Sequence, residues 1–450
     1  MKKQRCEISF FERFSYAIGD VGCNFVWTTI ASFLTLYYTD SVGIAAGVAG
    51  TIMLITRFLD GITDLIMGVI IDHTNTRWGK ARPWVLWSTP MMVVGLIVLF
   101  SVPSGFSMQG KIIYAFVTYV FVAAVAYTAS NLSYNTLLSL MTEDQQSRIS
   151  ANSLRFICTG VVIITISYAT PTLTEVFGWT GMAVVYGALA TICFLLTFFF
   201  VKERVVVNSE TDKNEKERMG LKEFKLLFQN RYFITIALIF IVYYLCNTLF
   251  TSVGVYFARD VLGDAGLYGT LTLLTRVPMM IGLVVVPSLV NRFGKWKCMM
   301  VGFATMIVGL LIIWFGGSNT TLVMIGIIIR GVGTGPIMSG IFSLVADAVD
   351  YGEWKSGVRQ AGLTNSATSF GMKVGTGFGS ALVGWGLEIG GYNGAAAVQT
   401  ASTLFAERVM YAGLPVIGII ICMICLYFTN IDKIYGTIRK DLDARRQSRP

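Results

Sequence analysis

Twelve runs of about twenty or more mostly apolar residues take up nearly all of this chain, at 15–39, 47–71, 84–103, 112–140, 150–176, 179–201, 232–258, 266–290, 298–316, 320–346, 360–387 and 408–429. Each is long enough to cross a hydrocarbon core of about 30 Å. In that medium every backbone N–H and C=O must find a partner inside the protein, which a helix provides within a single segment. Composition agrees, since 54% of the 450 residues are hydrophobic and only 14% are charged, too apolar for a soluble domain of this length. The fold class expected is an all-α integral membrane protein with twelve transmembrane helices. The first run follows Lys2, Lys3, Arg5, Glu7 and Arg13 with no small-residue cleavage site, so no removable signal peptide is expected.

The basic residues set the orientation. Arg77, Lys80 and Arg82 follow the second run, Arg148 the fourth, Arg292, Lys295 and Lys297 the eighth, and Lys355 and Arg359 the tenth. Residues 40–50 and 316–325 have no Lys or Arg, and the 103–111 connection has only Lys111. By the positive-inside rule, both termini and the loops after even-numbered runs are cytoplasmic in a multi-pass cell-membrane protein. The net charge of +9 is thereby a matter of topology. No basic patch with interleaved aromatics marks a nucleic-acid surface. The eight cysteines lie mostly in apolar runs, and Cys422-x-x-Cys425 has neither a second pair nor a nearby histidine, so no disulfide and no cofactor are expected. The single histidine, His73, reads as an exposed loop residue.

A polar, charged stretch at 202–230 separates two halves, which gives an N-terminal bundle at 1–201, a cytoplasmic linker at 202–230, a C-terminal bundle at 231–430 and a cytoplasmic tail at 431–450. The halves echo one another. Arg77-Trp-Gly79-Lys80 follows the second run and Arg292-Phe-Gly294-Lys295 the eighth, an offset of 215 residues from Arg77 to Arg292. Two six-helix halves around a central site are a recurrent plan among secondary transporters.

Charges inside the second run carry the chemistry. Arg57, Asp60 and Asp64 fall, at 100° per residue, within a helical sector of roughly 60°. A charge near the bilayer centre costs at least ~2.5–3.5 kcal/mol, so such groups face the bundle interior and mark an ion or substrate path. Arg57 neutralises one carboxylate, and the other needs a proton or a metal cation. The competing reading is a structural cluster that only orients helices. Asp20, between Gly19 and Gly22, either joins this network or packs against a buried partner. Arg276 and Arg330 either line the path or pair between helices. Asp347, Asp350, Glu353, Lys355 and Arg359 after the tenth run have the composition of an ion-pair lock against the basic loop at Arg292 and Lys295. No catalytic dyad, metal cluster or phosphate loop is present, so an enzyme is not expected.

Several motifs then act together: Tyr16-Ala-Ile-Gly19-Asp20-Val-Gly22-Cys-Asn24, Tyr37-Tyr38-Thr39-Asp40, Arg57-x-x-Asp60-x-x-x-Asp64-x-x-x-Gly68, Asp72, Arg77-Trp-Gly-Lys80, Arg82-Pro83-Trp84 and Asp347-x-x-Asp350-Tyr351-Gly352-Glu353-Trp354-Lys355-x-Gly-x-Arg359. Taken in order along the whole chain, they resemble the glycoside-pentoside-hexuronide:cation symporters of the major facilitator superfamily, the group of the melibiose and glucuronide carriers. The resemblance implies two pseudo-symmetric six-helix bundles, alternating access, and sugar uptake coupled to Na⁺ or H⁺ at Asp60 and Asp64. It adds Thr63 and Thr128 to the cation site. Thr128 keeps the family pattern, while Thr63 replaces an Asn, and one fewer carbonyl tips the expected ion slightly from Na⁺ toward H⁺.

For the sugar, the resemblance points to Asn24, Asn131, Asn135, Arg155 and Lys373, with Asp20 beside them. Asn24 and Asn131 stand where the melibiose carriers have carboxylates, and Arg155 and Lys373 keep the cationic pair. Fewer acidic groups favour an anionic hexuronide over a neutral galactoside. The partners expected are a small sugar or uronide and membrane lipid, with no nucleic acid and no obligate protein partner. A lysolipid-type symporter of the same fold and a membrane sugar sensor without transport are the other readings.

Overall fold

The computed structural model describes residues 8–142, 144–204, 230–356, 361–396 and 398–447. They are helical almost throughout: α1 Phe10–Leu36, α2 Ala46–His73, α3 Arg82–Leu99, α4 Met108–Val120, α5 Thr128–Met141, α6 Gln145–Phe200, α7 Arg231–Tyr256, α8 Leu267–Phe293, α9 Lys295–Gly316, α10 Thr320–Ser356, α11 Ala361–Ile389, α12 Ala401–Arg408, α13 Leu414–Phe428 and α14 Asp432–Gln447. Four π-helical turns join or end them: π1 Tyr37–Val42, π2 Phe121–Tyr127, π3 Phe257–Val261 and π4 Val409–Gly413. Through π2 and π4, the pairs α4/α5 and α12/α13 each run on as one rod.

Among the described residues, nine helices are long and apolar enough to cross a membrane. α2 and α11 lie outside that set, and α2 carries Arg57, Asp60 and Asp64. α6 is two spans. It breaks at Gly178, whose φ of 70° favours glycine. Arg13 bonds Ser150 while Thr197 bonds Ser15, so both arms of α6 pass the same turn of α1. Counting those arms separately, with α2 and α11 added, the described residues form the twelve spans expected from the runs. Large aliphatic side chains face outward, as a lipid-facing surface requires, with Leu65 at 69% and Val284 at 79% exposed.

The chain divides into two compact units. The first holds Met1–Val207, Thr251–Leu273 and Ser380–Glu407; the second holds Asn208–Phe250, Leu274–Gly379 and Arg408–Pro450. In the first unit α1 packs on α6 and α5, with Tyr16 and Tyr134 stacked at 4.6 Å and the Tyr134 hydroxyl donating to the Tyr16 carbonyl at 2.8 Å. In the second, α9 and α10 approach so closely that a Cβ on Gly309 would stand 2.5 Å from the Arg330 nitrogen. Small residues at such crossings allow tight helix packing where lipid supplies no hydrophobic drive.

The repeated Arg-x-Gly-Lys loops share a backbone feature, since Gly79 has φ 113° and Gly294 has φ 87°. Beyond Gly79 the start of α3 has no cap of its own. Glu203 supplies it, accepting at 2.8 Å from each of the backbone nitrogens of Lys80, Ala81 and Arg82. A carboxylate there meets unpaired N–H groups at the positive end of the helix. Glu203→Ala is expected to destabilise the protein by about 1–2 kcal/mol. Thermal unfolding in detergent should show a lower midpoint than Glu203→Gln gives.

Candidate cation and substrate site

α2 brings Arg57 and Asp60 to one face, where Arg57 Nη1 stands 3.6 Å from Asp60 Oδ2. Both are nearly sealed, at 6% and 5% exposure. From the start of α5, Thr128 Oγ1 donates to Asp60 Oδ1 at 2.8 Å and also reaches the Ala123 carbonyl at 3.3 Å. The π2 turn sets this geometry, because Thr128 is the first α-helical residue after it. Such insertions often re-aim a side chain at a functional position. Asp64 lies one turn along α2, half-buried, as is Thr63. Thr63 Oγ1 donates to the Asp60 main-chain carbonyl at 3.1 Å, leaving its lone pairs as the groups a cation could use.

Arg57 has a second neighbour that the sequence did not announce. Its guanidinium carbon lies 4.0 Å from the centre of the Trp27 ring, and Trp27 stacks on Tyr127 with centroids 4.7 Å apart. A ring face stabilises a guanidinium more strongly where water is scarce. Its Nε meets no hydrogen-bond acceptor. Arg57 is thus held by one carboxylate and one indole.

A polar thread leads on from Tyr127. Asn131 Nδ2 donates to the Tyr127 hydroxyl at 3.2 Å, Asn135 Nδ2 donates to Asn131 Oδ1 at 2.9 Å, and Arg155 Nη1 donates to Asn135 Oδ1 at 2.9 Å. Arg155 Nε then stands 3.6 Å from Asp20 Oδ2, which also accepts from Thr159 Oγ1. Asp20, itself buried, therefore has two half-buried partners on α6. Asn24 Nδ2 donates to the Asp20 carbonyl at 2.8 Å and its Oδ1 accepts from Thr28 Oγ1 at 3.3 Å, both within α1. Of the residues expected to bind sugar, Asp20, Asn24, Asn131, Asn135 and Arg155 form this one region of the first unit. Lys373 is half-buried on α11 in the second unit.

The expected ion-pair lock lies partly within the second unit. Lys295 Nζ pairs with Asp347 Oδ2. Asp350 accepts from the Tyr435 hydroxyl on α14 at 2.9 Å, and Trp354 Nε1 donates to Asp441 at 2.8 Å, so the C-terminal helix joins the cluster. Glu353 is half-buried beside them. Arg292 is exposed, with its guanidinium 5.3 Å from the Phe293 ring centre, and Arg359 lies outside the described residues. Arg330 is buried with its guanidinium 3.5 Å from the centre of the Phe250 ring.

Sequence reasoning missed Trp27, Tyr127 and Thr159 because an aromatic or hydroxyl residue in an apolar run reads as packing. It also missed a cluster around Arg259 in the first unit. The only signal there was charge at the edge of an apolar run, in Arg259-Asp260 and Glu407-Arg408.

A family profile described as MFS/sugar transport protein matches residues 15–433. An isoprimeverose transporter of Lactiplantibacillus pentosus is 33% identical over 449 residues, covering 97% of this chain and 92% of the relative. A glucuronide carrier protein homolog of Escherichia coli (strain K12) is 30% identical over 450 residues, covering 96% and 95%. A putative glycoside/cation symporter of the same strain is 30% identical over 428 residues, covering 91% and 90%. Among solved structures, the nucleoside transporter NupG superposes with a TM-score of 0.63 at 15% identity, covering 92% of this chain and 98% of that one. A bacterial homologue of human drug peptide transporters superposes with a TM-score of 0.63 at 12% identity, covering 96% and 100%. At these identities the two structures speak for the fold alone.

The Asp20–Arg155 pair generates a stability test. Arg155→Met leaves a buried carboxylate without its cation, at an expected cost of about 3 kcal/mol. Adding Asp20→Asn should restore most of it, and the two melting midpoints in detergent decide the matter.

Proposed function

We propose, for a chain that belongs to the MFS/sugar transport protein family and is on that ground a secondary active symporter, that one cation binds at Asp60 and Asp64 while a glycoside binds along the Asn131, Asn135 and Arg155 thread. The observation that carries this reading is Asp60, a carboxylate sealed from solvent in a span, 3.6 Å from the Arg57 guanidinium and accepting at 2.8 Å from the Thr128 hydroxyl. Two carboxylates share a helix face with one guanidinium, so a proton or Na⁺ completes the charge balance. Thr128 and Thr63 offer oxygen to either ion. No cofactor enters the cycle.

The Tyr127–Asn131–Asn135–Arg155 thread offers the alternating donors and acceptors that sugar hydroxyls need, beside the Trp27 and Tyr127 rings. Because Asp20 already matches Arg155, the positive charge argued from the sequence is reduced, and a neutral glycoside fits this region. A hexuronide is the second reading, favoured by the amides Asn24 and Asn131 where the melibiose carriers have carboxylates. The two six-helix halves, at 1–201 and 231–430, alternate access around the site, and the basic loops put both termini in the cytoplasm of a cell-membrane protein.

Uptake of labelled neutral glycosides and uronides into vesicles, with Na⁺ and pH gradients imposed separately, tests substrate and ion together. Counterflow distinguishes a transporter from a sensor. One cation moving through 100 mV supplies about 2.3 kcal/mol, roughly a 50-fold accumulation. Asp60→Asn and Asp64→Asn are each expected to abolish that accumulation while sugar exchange continues. Full accumulation by either variant would remove its carboxylate from the cation site.

A further inference from the structure

The Arg259 cluster sits at the ends of helices away from the chain termini. Arg259 in π3 bonds Asp260 through Nε at 2.7 Å and Nη2 at 2.8 Å, and Asp40 of π1 through Nη1 at 2.5 Å. Its Nη2 also donates to the Tyr392 hydroxyl at 2.6 Å, and Tyr392 donates to Asp40 Oδ1 at 2.7 Å. Thr39 adds a bond to Asp40 Oδ1 at 2.7 Å and lies 3.2 Å from the Tyr256 hydroxyl. All of these residues lie in the first unit, where they tie the end of α1 to π3 and to the loop after α11. The same face is closed tightly, since a Cβ on Gly394 would stand 2.8 Å from Asp40 Cα and one on Gly384 would stand 2.7 Å from Gly50 Cα.

Glu407, near the end of α12, is the anomaly. It is 0% exposed, and neither carboxylate oxygen meets a hydrogen-bond donor. The charged groups facing it are Asp260 and Arg259 from π3 and Asp40 from π1. Arg259 is already divided between the two aspartates. On its own helix, Arg408 turns instead to the Trp314 carbonyl at 2.9 Å. Burial and the nearby Asp40 hold the Tyr392 phenol well above its usual titration range, so it stays a donor. The cluster therefore holds three carboxylates against one cation, and the third has no donor in reach. An ionised carboxylate buried in that way is prohibitive, whereas a carboxylic acid can donate its own proton to Asp260.

We propose that Glu407 is a proton-binding site separate from Asp60 and Asp64, and that its proton latches this end of the first unit shut. Losing the proton places two facing carboxylates, Glu407 and Asp260, in a sealed site. Relief comes from parting π3 and the loop after α11, which admits water. The closed latch is then favoured at low pH and released as pH rises. On the orientation read from the basic loops this is the extracellular end, so outside pH would bias which face is open.

Hydrogen exchange of the purified full-length protein in detergent tests this, because both faces then see one pH and no transport is read. Corrected for intrinsic rates, the opening of residues 257–266 and 390–396 should rise by up to about tenfold per pH unit over part of the range from about pH 6 to about pH 9, the limit for release of one proton. Glu407→Gln keeps a neutral donor facing Asp260 and should hold the segments closed throughout. Asp260→Asn reaches the same end differently, by giving Glu407 an amide donor, and covers the case in which the first variant fails to fold. Opening in the wild type that ignores pH, or a pH response that survives in either variant, would overturn the proposal. Because no sugar is involved, that result is independent of whether the transport reading stands.

Discussion

A carboxylate inside a hydrocarbon layer cannot stand alone, and the arrangement around Asp60 follows from that constraint. Its charge is met by Arg57 on the same helix and by the Thr128 hydroxyl from α5. Each partner needs its own support. Arg57 lies on the Trp27 ring, and Thr128 is placed by the π2 turn within an otherwise continuous rod. A π turn inside a span is tolerated because neighbouring helices bury it and its hydrogen bonds close within the chain. Ala123 and Ala124 in this turn are buried, as close packing requires.

The same neighbours connect the proposed cation site to the proposed sugar region. Tyr127 and Thr128 are adjacent, so one turn of backbone holds both the hydroxyl on Asp60 and the ring that stacks on Trp27. The Tyr127 hydroxyl then accepts from Asn131, and the thread continues through Asn135 and Arg155 to Asp20. Asp60 and Asn131 thus both contact residues of the π2–α5 junction. Coupling of this kind needs contiguous packed groups, and here side-chain contacts run on either side of the Tyr127–Thr128 peptide link. The charge on Arg155 is largely answered by Asp20, which leaves this region suited to hydroxyls rather than to a bare anion.

The ionic clusters differ in character from this central site. Lys295–Asp347, with Asp350 and Tyr435 beside it, lies near helix ends where water and lipid head groups lower the cost of charge. The Arg259 cluster is also at helix ends, but it is packed shut, and its excess of acid over base is what makes it sensitive to a proton. Glu203 at the start of α3 is a third case, in which a carboxylate answers backbone N–H groups.

Much of this protein is legible in its sequence. The apolar runs located the twelve spans, including the reversal between 150–176 and 179–201, because hydropathy and segment length are local properties that a bilayer enforces. The sector shared by Arg57, Asp60 and Asp64 was legible for the same reason, helical geometry being constant. Thr128 was reached through family resemblance, and the paired glycine loops through their repeat. The contacts of Trp27, Thr159, Asp40, Arg259 and Glu407 were not legible. Arg259 and Asp40 are 219 residues apart, and Tyr392 and Asp40 are 352 apart. Which side chains meet across helices depends on the rotation and depth of each rod in the bundle, and packing decides those jointly for the whole fold. The sequence by itself determined how many times the chain crosses the membrane and which charges it carries across; the tertiary structure alone decided which partner each charge has.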